Sequence, residues 1–117
     1  MRKLIFKRPW SMNRYQKIAI AMKEYGVGTE IVYPALKLNG EAGEVAEKVG
    51  KVLRDNQGIF TDEIKLAIAH ELGDVLWYIA ALSQDIGFTL DEVANLNVKK
   101  IKSRRKRSKV HGEGDNR

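Results

Sequence analysis

The sequence predicts an all-α protein, an antiparallel bundle of about four main helices completed by oligomerisation. Three observations carry this. Apolar residues recur at helical spacing almost throughout, no segment alternates as a strand would, and capping and turn residues divide the 117-residue chain into four stretches. A chain of this length makes one domain with a single core, small enough that partner chains often add burial. The domain is expected over residues 1–107, with 108–117 a flexible polar tail.

The first helix is expected to start near Ser11 or Asn13, either of which caps, to run through Tyr15, Ile18, Ala19 and Met22, and to stop at Gly26. GVGT then forms a loop. The second starts between Thr29 and Pro34, since proline is tolerated in a first turn, and continues through Leu36, Leu38, Val45, Val49 and Leu53 to Asp55 or Asn56. Gly40, Gly43 and Gly50 weaken it by about 1 kcal/mol each. They suggest close approach of another backbone or a ligand, or a break near Gly40. After the turn residues DNQGIF, Thr61 caps a third helix whose wide apolar face runs from Ile64 to Leu82 and which Gly87 ends. Thr89 and Glu92 form a capping-box pattern for the fourth, through Val93, Leu96 and Ile101.

Composition narrows the function classes. The chain has no cysteine, so disulfides, thiolate zinc sites and a cysteine nucleophile are excluded. The basic start MRKLIFKRPW is followed by no apolar run of signal or membrane-spanning length, so a soluble, cytoplasmic protein with no membrane partner is expected. The net charge of +6 is local: residues 99–109 hold eight of the 21 Lys and Arg, and the remaining 13 face 15 acids. The global charge therefore says little about partners, and nucleic acid is not the expected one.

The chemistry lies in two acidic pairs. Residues three apart on a helix share a face, so Glu41 and Glu44 project together from the second helix, and Glu71 and Asp74 from the third. If the helices pack antiparallel, four carboxylates converge, and their repulsion in a low dielectric calls for a cation. Oxygen-only ligands suit Mg²⁺ or Mn²⁺. The histidine of a Glu-x-x-His di-iron pair is missing, and HELGD is not a zinc signature. Magnesium is usually shared between carboxylates and substrate phosphates, which points to a phosphate-bearing ligand. Such acids are also common decoration of solvated faces, but Glu44 is followed by Val45, Glu71 and Asp74 interrupt a run rich in Ile, Leu, Val and Trp, and a carboxylate beside an apolar stripe needs a partner.

The segments LNGEAGEVAEKVGKVLRD and HELGDVLWYIAAL, followed by NVKKIKSRRKR and HGEGDNR, resemble the MazG-like branch of the all-α nucleoside triphosphate pyrophosphohydrolases, with its ExxE and later ExxD. The similarity covers about residues 33–117. It implies Mg²⁺-dependent cleavage between the α- and β-phosphates of a nucleoside triphosphate, giving the monophosphate and pyrophosphate, in nucleotide-pool housecleaning. It implies Glu41, Glu44, Glu71 and Asp74 as ligands and catalytic groups, and Tyr78, Asn97 and Lys100 as contacts to nucleotide or phosphates. It also implies a homodimer or homotetramer whose site a neighbouring subunit completes. Glu41 is the choice for the base that takes the water's proton, although spacing does not separate it from Glu44.

Lys48, one turn beyond Glu44, is a further phosphate candidate, whereas Lys51 and Arg54 read as a charged outer face at a helix C-terminus. Arg104 divides a stretch able to donate to triphosphate oxygens from a solvated tail. Trp77 is assigned to packing, Trp10 and Tyr15 have no motif support, and His70 and His111 read as structural or solvated. Two other functions compete: a nucleic-acid binder using the 99–109 stripe, and a nucleotide sensor that does not hydrolyse.

Overall fold

The computed structural model describes residues 11–108, 111, 112 and 114; the expectations for Trp10 and for the rest of both termini lie outside them. Among these residues there are four helices and no strand: α1 (Met12–Ile20), α2 (Val32–Asp55), α3 (Asp62–Asp85) and α4 (Leu90–Lys106). Three start where capping chemistry places them. The Ser11 hydroxyl accepts from the Arg14 N–H and that of Thr61 from the Ile64 N–H. Thr89 and Glu92 close the full capping box. At the end of α3, Gly87 takes φ of 85°, a conformation open to glycine, and the Phe88 N–H reaches back to the Ser83 carbonyl at 2.8 Å.

α2 and α3 form an antiparallel pair. Tyr33 faces Tyr78, Glu41 lies with Asp74, and Lys48 meets Glu71, so one helix counts up as the other counts down. α3 is the hub, packing on α1, α2 and α4, whereas α2 packs on no other of the four described helices than α3. By length and composition α3 could cross a membrane. It carries two mid-helix acids and packs on three other helices, as the central helix of a bundle also does.

The small core joins α1, α3 and α4 through Ala19, Ala80 and Leu90, with Tyr15, Trp77 and Ile79 against them. A buried Gln16 fastens the three together. Its amide donates to the Ala80 and Phe88 carbonyls, and its carbonyl accepts from the Leu90 N–H at 3.1 Å. That N–H opens α4 and has no partner within its own helix, so the side chain satisfies a donor that would otherwise be orphaned.

Two expectations need correction. The first helix stops at Ile20 rather than at Gly26, because Lys23 and Tyr25 are drawn to Asp85 on α3 and the Ala19 carbonyl accepts from the Trp77 indole. The second helix is unbroken at Gly40, and a Cβ at Gly40, Gly43 or Gly50 would meet nothing within 4 Å among the described residues, so these supply no close neighbour there. Apolar residues are left uncovered on both long helices: Leu66 and Leu72 on α3 are exposed, as are Leu36 and Leu53 on α2.

Candidate functional site

The antiparallel register brings three of the four acids together. Carboxylate oxygens of Glu41, Glu71 and Asp74 all lie within 4.8 Å of one another, the first two residues half-buried and the third exposed. Glu44, exposed on α2, stands outside this group. Lys48 reaches across from α2 to Glu71 at 3.1 Å and offsets part of the negative charge. Lys51 and Arg54 behave as an outer face, paired with Glu47 and Asp55 on their own helix.

Beside the carboxylates opens a cleft of 480 Å³, lined by Met22, Glu24, Tyr25, Tyr33, Glu41, Asp74, Trp77 and Tyr78. Its aromatic rings pack on one another. Tyr25 and Tyr33 stand 5.3 Å apart between centroids, Tyr25 meets Trp77 edge-on at 6.4 Å, and Trp77 meets Tyr78 edge-on at 4.9 Å. Burial, followed by the neighbouring Tyr33 and the charges of Glu41 and Asp74, pushes the Tyr78 phenol above its ordinary range. Tyr15 is raised too, first by burial and then by Asp74. The cleft therefore joins a negative end to a wall of π faces. Trp77, assigned to packing from the sequence, does both jobs: it holds α1 and lines the cleft.

Asn97, Lys100 and Arg104 do not line this cleft. All three sit on α4, which packs on α1 and α3 and not on α2, and an Arg104 N–H donates to the Gly114 carbonyl at 3.1 Å. His70 and His111 are exposed and outside the carboxylate group.

One node has no counterpart in the sequence reading. The Asp85 side chain, only 3% exposed, accepts from Lys23 at 3.1 Å, from the Tyr25 hydroxyl at 2.7 Å and from the Ile31 N–H at 3.0 Å. Burial alone would raise its pKa. The hydrogen bonds from Ile31, Tyr25 and Lys23 outweigh burial and hold the carboxyl below its usual value. Tyr25 responds in the opposite sense, raised by burial and then by Asp85. Ile31 itself is strained, a β-branched residue at φ 67° and ψ −56° in a γ-turn closed by the Val32 N–H on the Glu30 carbonyl. Such a conformation costs on the order of 1–3 kcal/mol and persists only where its surroundings impose it. The signal in the sequence was an acid in the last turn of a helix, against the macrodipole.

Residues 34–108 match the family model of the MazG nucleotide pyrophosphohydrolase domain. The chain is also 45% identical over 85 residues to the "Gene 37 protein" of Mycobacterium phage L5, covering 73% of this chain and 75% of that one. No solved structure matches it. The matched segment contains both acidic pairs and the helices that bring three of those acids together. The chain belongs to the MazG nucleotide pyrophosphohydrolase family.

Proposed function

We propose that the protein is a Mg²⁺-dependent nucleoside triphosphate pyrophosphohydrolase. It splits the α–β phosphoanhydride of ribo- or deoxyribonucleoside triphosphates to the monophosphate and pyrophosphate, as housecleaning of a cytoplasmic nucleotide pool. The observation that carries this reading is the meeting of Glu41, Glu71 and Asp74 within 4.8 Å at the edge of an aromatic cleft. The donor set is all oxygen and suits a hard divalent cation, Mg²⁺ or Mn²⁺, that keeps some waters and shares its shell with phosphates.

Glu41, Glu71 and Asp74 would hold the ion. Glu44, three residues along the same helix as Glu41, joins them by rotating its long side chain. When bound, the ion supplies polarisation of phosphoryl oxygens and offsets charge on the departing pyrophosphate. The chain's own groups do the rest. Tyr25, Tyr33, Trp77 and Tyr78 offer stacking surfaces that accept any base. Lys48, 3.1 Å from Glu71, would donate to a phosphate bound there. Water oxygen bonds to phosphorus as the anhydride P–O bond breaks, and pyrophosphate leaves with the electron pair. The carboxylate least engaged by the ion takes the water's proton.

We further infer that the working form is a homodimer or larger. Leu36 and Leu53 on α2 and Leu66 and Leu72 on α3 are each more than half exposed, neither α1 nor α4 packs on α2, and the three α2 glycines leave room for a close neighbour. In such an assembly Asn97, Lys100 and Arg104 serve the cleft of a neighbouring copy.

The test is a panel of common and modified nucleoside triphosphates with Mg²⁺, read for pyrophosphate and orthophosphate. Pyrophosphate release is expected, abolished by Glu71→Gln and by Asp74→Asn while helical circular dichroism survives. Glu41→Gln and Glu44→Gln then separate ligand from base, since the base variant loses turnover and keeps Mn²⁺ affinity. Orthophosphate as sole product, or full activity in both the Glu71 and Asp74 variants, would refute the assignment.

A further inference from the structure

We propose that Asp85 is a positioning residue that holds the 21–31 segment against the end of α3 and so builds one wall of the cleft; its role in substrate binding rests on the triphosphate reading above. Asp85 is not a member of the Glu41, Glu71 and Asp74 group. What it binds is a single segment. Lys23, Tyr25 and the Ile31 N–H all donate to it, at 3.1, 2.7 and 3.0 Å, and all three lie between α1 and α2. That segment contributes Met22, Glu24 and Tyr25 to the cleft.

Among the described residues the segment has no other side-chain hydrogen bond to the bundle. Its other side-chain hydrogen bonds are internal, the Gly28 N–H to Glu30 and the Thr29 hydroxyl to the Gly26 carbonyl, and Gly28 sits at φ 88°. Internal bonds shape a loop but do not tie it to the bundle. Asp85 does, and from both directions. On one side it anchors the ring of Tyr25 in contact with Tyr33 and Trp77. On the other it meets the start of α2, where Ile31 offers no capping side chain, and supplies the anion that this helix terminus favours. The strained turn at Ile31 is the geometry needed to aim that N–H at a side chain 54 residues away. An acid at the wrong end of its own helix is thus a remote cap for another, and Tyr25 is carried into the cleft by the same contact.

Three variants test this: Asp85→Asn, Tyr25→Phe, which keeps the ring and removes one donor, and Asp85→Glu as the conservative replacement. Each is made with Trp10→Phe, so that Trp77 is the single reporter of two tryptophans. Acrylamide quenching of Trp77 is measured without nucleotide, and KM and kcat for whichever common triphosphate the parent hydrolyses fastest. Asp85→Asn is expected to make Trp77 about twofold more quenchable and to raise KM about tenfold with kcat within about threefold, a loss of uniform binding. Tyr25→Phe should follow in the same direction by less, and Asp85→Glu should recover part of both. Unchanged Trp77 quenching in Asp85→Asn overturns the proposal, as does a fall in kcat with KM unmoved. Should the parent release no pyrophosphate from any triphosphate, the functional reading fails, and the quenching comparison alone decides whether Asp85 holds the wall.

Discussion

Replacing Lys48 by methionine separates two roles that a static contact cannot. Lys48 sits 3.1 Å from Glu71, and Glu71 belongs to the carboxylate group, so its ammonium competes with any cation those oxygens bind. The full low-dielectric attraction at that distance does not apply, because the side chains are 36% and 18% exposed and water screens the pair. A pair of this kind is worth about 0.5–1 kcal/mol. Lys48→Met should therefore tighten Mn²⁺ binding to the free protein by about two- to fivefold. Turnover should move the other way. A charge-assisted bond to phosphate is worth about 1.5–3 kcal/mol, so kcat/KM should drop by tenfold or more. Mn²⁺ binding followed by electron paramagnetic resonance and pyrophosphate release followed continuously give the two numbers. Mn²⁺ affinity that falls, or kcat/KM that stays at the parent value, would refute the reasoning and return Lys48 to the solvated face of α2.

Two further outcomes follow from the packing. Gln16→Leu removes three hydrogen bonds and leaves the Leu90 N–H buried without an acceptor, so urea unfolding should show a loss of about 2–4 kcal/mol, against under 1 kcal/mol for Lys51→Ala on the outer face. In sedimentation at micromolar concentration the protein should run as a dimer or larger, and Leu36→Glu combined with Leu72→Glu should shift it toward monomer; a parent that sediments as a monomer would refute the shared-site reading.

Local chemistry made much of the fold legible. Thr61 and the Thr89–Glu92 box announce helix starts because each side chain satisfies donors within its own first turn, a contact spanning three residues that sequence alone displays. The metal-site candidates were legible for a related reason. Three-residue spacing guarantees a shared face, and a six-residue turn from Asn56 to Thr61 leaves two 24-residue helices little choice but to run antiparallel. Glu41 then meets Glu71 and Asp74. Glu44 shows the limit, since sharing a helical face does not fix where a flexible side chain ends.

What sequence could not show are contacts whose two ends are far apart and individually ordinary. Asp85 is one more acid on a charged chain until its three donors, 54 to 62 residues away, are seen to come from one loop. The same contact explains why the first helix ends early. Continuing α1 from Ile20 to Gly26 would add a few backbone hydrogen bonds, each worth about 1 kcal/mol net. Leaving it lets Lys23, Tyr25 and Ile31 satisfy a carboxylate that is otherwise buried and alone, and an uncompensated buried charge costs several kcal/mol. The tertiary demand outweighs local helix propensity, and the chain pays with strain at Ile31. That balance also places Tyr25 beside Tyr33 and Trp77, so the residue that breaks the helical expectation is the one that shapes the cleft.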